Sequence, residues 1–341
     1  LSGLIGYYVH HQGDGHRQRA LSIAHCAPER FVMLGTGLAQ RIDALRCVDV
    51  DDDRPGIGEY IDPLSPEDCL HYAPLHHAGI QRRIATVAQW IARARPALFV
   101  IDVSVEVAML ARLAGVPTVY VRLSGRRDDA AHCQAFRAAH ALLVPFHADL
   151  DDVTTPHWVR NKTRYAPGIS RGHSNARVDG HRILVVSGAG GGTWDAAALK
   201  AAAASLPQYT WRVIGQLAPP GDIPINVEFG GWVEDADAQI AAAAIVVGHA
   251  GDGTFSSVLA AKRPFICLPQ TRPYDEQGSK ARRLAELGAA VVLERLPDPT
   301  EWPEIIRRAR TLNPCDQARL HEVGGAQTAC EWLLATAERS T

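Results

Sequence analysis

Short, nearly unbroken apolar runs alternate with segments of helical period along the whole chain, and the pattern restarts once, near Arg182. A strand without polar alternation needs cover on both faces, which points to parallel sheets flanked by helices. Gly3–Val9, Phe31–Leu34, Ala97–Asp102, Thr118–Val121 and Ala141–Val144 read as strands of a first lobe. Arg182–Ser187, Tyr209–Ile214, Val227–Phe229, Ile245–Val247, Pro264–Leu268 and Ala290–Leu293 read as those of a second. Each half opens with a strand, a Gly-rich loop and a helix. The expected class is α/β, with two Rossmann-like, doubly wound parallel-sheet lobes facing across a cleft. The expected boundaries are 1–168 for the first lobe, 169–180 for a hinge and 181–315 for the second lobe. One long helix over Asp316–Ala337 fills the segment 316–341, with a return to the first lobe as one option.

The 341 residues suffice for two lobes of ordinary size. No apolar run approaches the ~20 residues of a membrane-spanning helix, and no secretory leader is visible behind Leu1. Seven cysteines (Cys26, Cys47, Cys69, Cys133, Cys267, Cys315, Cys330) are scattered, with no C-x-x-C. An odd, dispersed set reads as reduced thiols, so a cytoplasmic protein is expected. Peripheral contact with the inner membrane face stays open for a lipid-linked acceptor. Net charge is −2, lysines number only four, and no basic block stands out, which argues against nucleic acid as a partner. The interruption Asp49–Leu75, with acids at Asp49, Asp51, Asp52 and Asp53, reads equally as an acceptor-side loop or a surface excursion.

The most informative stretch runs from His249 to Ala281. A buried strand ends there, and the small residues Gly248, Ala250, Gly251 and Gly253 permit close backbone approach to a ligand. A helix follows, and the free N–H groups of its start suit a diphosphate. The next strand ends at Leu268-Pro269, and a second helix begins near Asp275. Asp275, Glu276 and Gln277 then lie on the carboxyl edge of the sheet, where open α/β sheets bind ligands. Hydrogen-bonding side chains at that edge suit a polyhydroxy sugar.

The turn His249-Ala-Gly-Asp-Gly-Thr, the entry Lys262-Arg-Pro and the group Asp275-Glu-Gln before Lys280-Ala281 resemble the donor-binding lobe of GT-B glycosyltransferases. The likeness is to the MurG-like and UDP-glycosyltransferase-like groups, over roughly 45 residues. It implies a nucleotide-diphosphate sugar as donor substrate. His249, Gly251, Asp252, Gly253, Thr254 and Ser257 would meet the nucleotide and its diphosphate, and Asp275, Glu276 and Gln277 the sugar. Ser257 stands where the family carries a ribose-binding glutamate, so that contact is weaker here or supplied elsewhere. Lys280 replaces an asparagine and reads as a phosphate ligand or a surface residue. The loop Gly188, Gly190, Gly191 and Gly192 is similar to the family's donor loop, with a tight strand–helix turn as the plain alternative. Trp232 and Val233 sit where related enzymes present backbone to the base, with core packing the other reading of Trp232. Arg171 falls at a hinge arginine.

In the first lobe, Gly13-Asp-Gly-His16 is similar to the family's G-x-G-H loop on the acceptor side. A histidine suits deprotonation of a hydroxyl near neutral pH, so His16 is the first candidate base and His11 the second. A metal site would draw on His10, His11, Asp14 and His16, but adjacent strand residues should point apart, so none is expected. Asp102 reads mainly as an acid at the start of the Ser104 helix, otherwise as a partner for a histidine. His71, His76 and His77 read as surface residues. The implied reaction is cofactor- and metal-free transfer of a sugar from a UDP- or dTDP-type donor to a small-molecule or lipid-linked acceptor. A sugar-nucleotide hydrolase or epimerase on the same fold, and a non-catalytic nucleotide-sugar-binding subunit, are the alternatives.

Overall fold

The computed structural model describes residues 3–11, 14–40, 45–55, 68–169, 176–188 and 194–340. Its strands are β1 (Ile5–Tyr8), β2 (Phe31–Gly35), β3 (Arg46–Asp49), β4 (Leu98–Asp102), β5 (Thr118–Val121), β6 (Ala141–Val144) and β7 (Thr163–Tyr165) in the first lobe. The second lobe has β8 (Asp179–Ser187), β9 (Thr210–Gly215), β10 (Val227–Gly231), β11 (Ala243–Gly248), β12 (Phe265–Cys267) and β13 (Val291–Val292). The helices are α1 (Asp14–Ala24), α2 (Ala78–Ala94), α3 (Val105–Leu113), α4 (Ala130–Ala138), α5 (His157–Asn161) and α6 (Ala196–Ser205). They continue with α7 (Ala236–Ala242), α8 (Asp252–Ala261), α9 (Glu276–Glu286), α10 (Trp302–Arg310), α11 (Pro314–Ala318) and α12 (Gly325–Arg339).

Among the described residues the first sheet runs β3-β2-β1-β4-β5-β6-β7 and the second β10-β9-β8-β11-β12-β13, every pair parallel. Strand order reverses between β1 and β4 in one sheet and between β8 and β11 in the other. At such a reversal successive helices leave on opposite faces and open a crevice at the carboxyl ends of the strands. The central strands are apolar along their length because both faces are covered: β1 and β4 are buried at every position.

Three expectations change. The strands β3 and β7 went unread because each is a polar, half-exposed edge. The acidic cluster beside β3 is taken up by arginines: Asp51 pairs with Arg82, Asp52 with Arg54, and Asp53 with Arg83. Its continuation at 56–67 lies outside the described residues. The long terminal helix is two helices: α11 ends at Ala318, and α12 begins behind its N-cap Gly324, whose φ of 79° favours glycine. Beyond the break α12 packs on the first lobe: Ala329, Cys330, Leu333 and Ala337 share a core with Ala20, Ile23 and Ala24 of α1.

Leu333 is fully buried in that core. We expect Leu333→Ala to cost about 2–4 kcal/mol in denaturant unfolding. Hydrogen exchange should then rise in α1 while β8 and β11 keep their protection.

Candidate active site

The two crevices face each other, and the chemistry-bearing residues collect at their edges. In the first lobe, β4 ends on Asp102, which is wholly buried. Val103 follows with a φ of 75°, rare for a β-branched residue, and Ser104 then caps α3 through Val107 N–H. Asp102 is therefore not the cap. It faces α1, where Oδ1 lies 2.8 Å from His16 Nδ1 and 2.9 Å from Arg19 Nη2, and Oδ2 lies 3.1 Å from Arg19 Nε. Burial alone would raise the Asp102 carboxyl, but Arg19 and His16 override it and hold it at about 2. Arg19 is itself only 5% exposed.

His11 is half-buried near Asp53, its Nδ1 3.4 Å from Oδ1, and burial lowers its basicity. The rings of His10 and His11 do not point apart; they stack with centroids 4.8 Å apart. His11, Asp52 and Asp53 bring ligand-type atoms together, but Arg54 and Arg83 already neutralise the two carboxylates. That balance disfavours a dication.

In the second lobe, β11 ends at Gly248-His249. His249 is 5% exposed and donates Nδ1–H to the Leu268 carbonyl at 2.7 Å. A carbonyl only accepts, so the lone pair is left on Nε2, which is buried without a partner among the described residues. Burial lowers the basicity of this ring. The indole of Trp194 lies beside it at 4.9 Å, with its own N–H unpartnered among the described residues. Helix α8 starts at Asp252 behind Gly251, and no side chain among the described residues caps it. Its first-turn N–H groups, of Gly253 and Thr254 among them, form an uncapped helix start suited to an anion.

Asp252 itself is spoken for. Its carboxylate pairs with Lys280 and, at 3.1 Å, with Arg19 of the opposite lobe. Burial would raise this acid, and Lys280 and Arg19 lower it. Lys280 is neither a surface residue nor free for phosphate: it is completely buried, between the rings of Phe146 and Phe255.

The remaining candidates divide. Gln277 is buried, accepts from Gln270 N–H at 3.0 Å, and places its amide beside Gly251. Glu276 reaches Arg127 of the first lobe at 3.3 Å. Asp275 is turned away and pairs with Arg282 at 2.5 Å. Ser257 Oγ lies 2.6 Å from Asp237 of α7 and 3.0 Å from the Gly253 carbonyl. Asp237 thus brings a carboxylate to the position where Ser257 lacks one, a partnership across 20 residues that carries no motif. Trp232 is 58% exposed just after β10, so it is not core, while Val233 packs against the second-lobe core. A Cβ at Gly188 would meet nothing within 4 Å among the described residues. Gly190, Gly191, Gly192 and Arg171 lie outside the described residues.

The lobes also meet at the β12–α9 connection. Tyr274 and Asp275 both have positive φ, and the Tyr274 carbonyl accepts from Arg126 N–H at 2.8 Å. A Cβ at Gly125 would stand 2.3 Å from that carbonyl, so only glycine fits. Arg127 lies over the Tyr274 ring at 4.7 Å, and Tyr274 OH meets His71 at 2.9 Å. His71 therefore belongs to the lobe contact.

Because folding lowers the Asp102 carboxyl below its ordinary ~3.9, it stabilises the fold above about pH 4, and that contribution is lost as pH falls toward about 2. Asp102→Asn should flatten this acid limb. It should also lower stability near neutrality by about 3 kcal/mol, since Arg19 loses its main partner. Urea midpoints measured across the acid range check both.

A family model described as the glycosyltransferase family 28 C-terminal domain matches residues 213–304. No curated protein matches the sequence. Among solved structures, CalG4, the calicheamicin glycosyltransferase, is 16% identical with a TM-score of 0.71, covering 99% of each chain. MurG of Acinetobacter baumannii is 16% identical with a TM-score of 0.64, over 98% of this chain and 99% of that one. The spinosyn rhamnosyltransferase SpnG complexed with thymidine diphosphate is 16% identical with a TM-score of 0.57, over 98% and 96%. Likeness over the full length of both lobes, with two doubly wound parallel sheets face to face, identifies this as the GT-B glycosyltransferase fold, MurG-like in plan.

Proposed function

We propose that the protein transfers a sugar from a nucleoside-diphosphate sugar, of the UDP or dTDP type, to an acceptor hydroxyl or amine without a metal ion. The observation that carries this reading is the meeting of the two crevices. His16 at the first and the uncapped start of α8 at the second are joined through one guanidinium, that of Arg19. A histidine that gives Nδ1–H to a buried aspartate keeps a lone pair on Nε2, as a general base requires.

In this reading the acceptor oxygen attacks the sugar's anomeric carbon and loses its proton to His16 Nε2. The bond from that carbon to the diphosphate oxygen breaks, and the departing diphosphate takes the electron pair. N–H groups of Gly251, Gly253 and Thr254, with the Gly188–Gly192 loop, stabilise its charge. His249 and Trp194, each with a buried nitrogen unpartnered among the described residues, line the same edge. Gln277 and Glu276 orient the sugar, with Asp275 outside the contact. Trp232 and Val233 flank the base, and Ser257 with Asp237 holds the ribose. The thymidine diphosphate bound to SpnG keeps a dTDP donor alongside UDP.

UDP or dTDP should raise the melting temperature, and a panel of both nucleotides and their sugars with no shift at all would end the donor reading. With an active pair in hand, His16→Ala should lower kcat by about 10²–10⁴-fold and leave the nucleotide-induced shift intact.

A separate expectation concerns Asp237. Asp237→Asn should weaken UDP or dTDP binding by about tenfold, the worth of a charge-assisted hydrogen bond. Pyrophosphate, which has no ribose, should bind the variant as it binds the native chain. Calorimetric titration with both ligands separates the outcomes.

A further inference from the structure

Arg19 places three donor nitrogens among groups that compete for them. Nε and Nη2 bind the two oxygens of Asp102, and Nη1 crosses the cleft to Asp252 Oδ2 at 3.1 Å. Nη2 is also 3.0 Å from His16 Nδ1, and that same nitrogen is 2.8 Å from Asp102 Oδ1. A guanidinium only donates and an ionised carboxylate only accepts. One ring nitrogen cannot serve both. With a proton on Nδ1, the ring donates to Asp102 and Nε2 keeps its lone pair. Without one, Nδ1 accepts from Arg19, the proton sits on Nε2, and the ring cannot act as a base there.

The other groups around the ring leave this choice to the arginine. His10 lies 5.4 Å away and is held neutral, its basicity pushed down by burial to about 3. The Tyr7 hydroxyl is buried near Asp102 and Arg19, and burial raises it, so it stays protonated. On α1 itself, Arg17 and Gln18 are turned to Asp14. Lys280 faces Asp252 from the far side and keeps it ionised.

We propose that Asp252 is a positioning residue for His16. By holding Nη1 from the opposite lobe, it fixes the guanidinium so that Nδ1–H faces Asp102 and Nε2 is left as the base. The base is therefore assembled only when the lobes are together. Separated lobes release Arg19 to donate to Nδ1, which puts the ring in the wrong tautomer and idles it until the cleft closes. The role of the tautomer in catalysis rests on the glycosyl-transfer reading; the tautomer itself does not.

The test needs no substrate. Long-range ¹H–¹⁵N spectra of the full-length labelled protein report which ring nitrogen carries the proton, with His16 assigned by its disappearance in His16→Gln. At alkaline pH the native chain should show His16 protonated on Nδ1. In Asp252→Ala, which leaves Nη1 without an acceptor, the proton should move to Nε2, and in Arg19→Gln it should stay on Nδ1. A merely structural role would move neither. An unchanged His16 signature in Asp252→Ala, or a switch in Arg19→Gln, overturns the proposal. Should Asp252→Ala fail to fold, Asp252→Ala combined with Lys280→Met removes one charge of each sign and carries the same expectation. A native chain that binds neither UDP nor dTDP would defeat the transfer reading and leave these spectra to decide the tautomer on their own.

Discussion

A carboxylate with no exposed surface, Asp102, sets the terms for the centre of this molecule. Removing an ion from water costs several kcal/mol, and only close, well-aligned partners offset it. Asp102 finds them on α1, in Arg19 and His16. Arg19 is buried too, and one carboxylate does not use all its donors. The remainder goes to Asp252 in the other lobe, which in turn shares Lys280. Each buried charge thus requires the next, and the chain of requirements runs from the carboxyl edge of one sheet to that of the other.

A second set of contacts, made of backbone rather than charge, holds the same two edges in register. The β12–α9 connection presses its Tyr274 carbonyl onto the glycine turn at 125, and Ser279 at 2.5 Å from Asp152 continues the seam. Glu276 is caught in this seam by Arg127. A residue that reads in the sequence as a sugar contact is, with the lobes together, also a lobe contact. On the proposed reading, sugar recognition and the relative position of the lobes would draw on the same side chain.

The fold was legible because both sheets are parallel and covered, so their strands carry continuous apolar runs that no other element imitates at that length. The exceptions, β3 and β7, are the two edges of the first sheet with half-exposed positions, and their residues look like loop. The break between α11 and α12 was missed because the apolar spacing carries through it, although α11 ends at Ala318 and α12 restarts only behind Gly324, whose backbone is left-handed. At the site, the small residues of the α8 turn announce themselves, whereas charges do not. Arg19 meets Asp102 and Asp252 across separations of 83 and 233 residues. An arginine on an amphipathic helix resembles any solvated charge until the fold brings a buried acid to it. The same holds for Lys280, and for Asp237 beside Ser257.

The return of α12 to the first lobe has a consequence for how the molecule comes into being. Translation delivers the first sheet early, but the helix that covers α1 and completes that core is the last one encoded in this sequence. The second lobe has all its strands and α8 to α11 before then. On the ribosome, the order of synthesis and the order of completion are therefore reversed, and the first lobe waits with an apolar face of α1 open. During that interval the uncovered face is open to association with other nascent chains, and the interval grows with the time taken to make the second lobe.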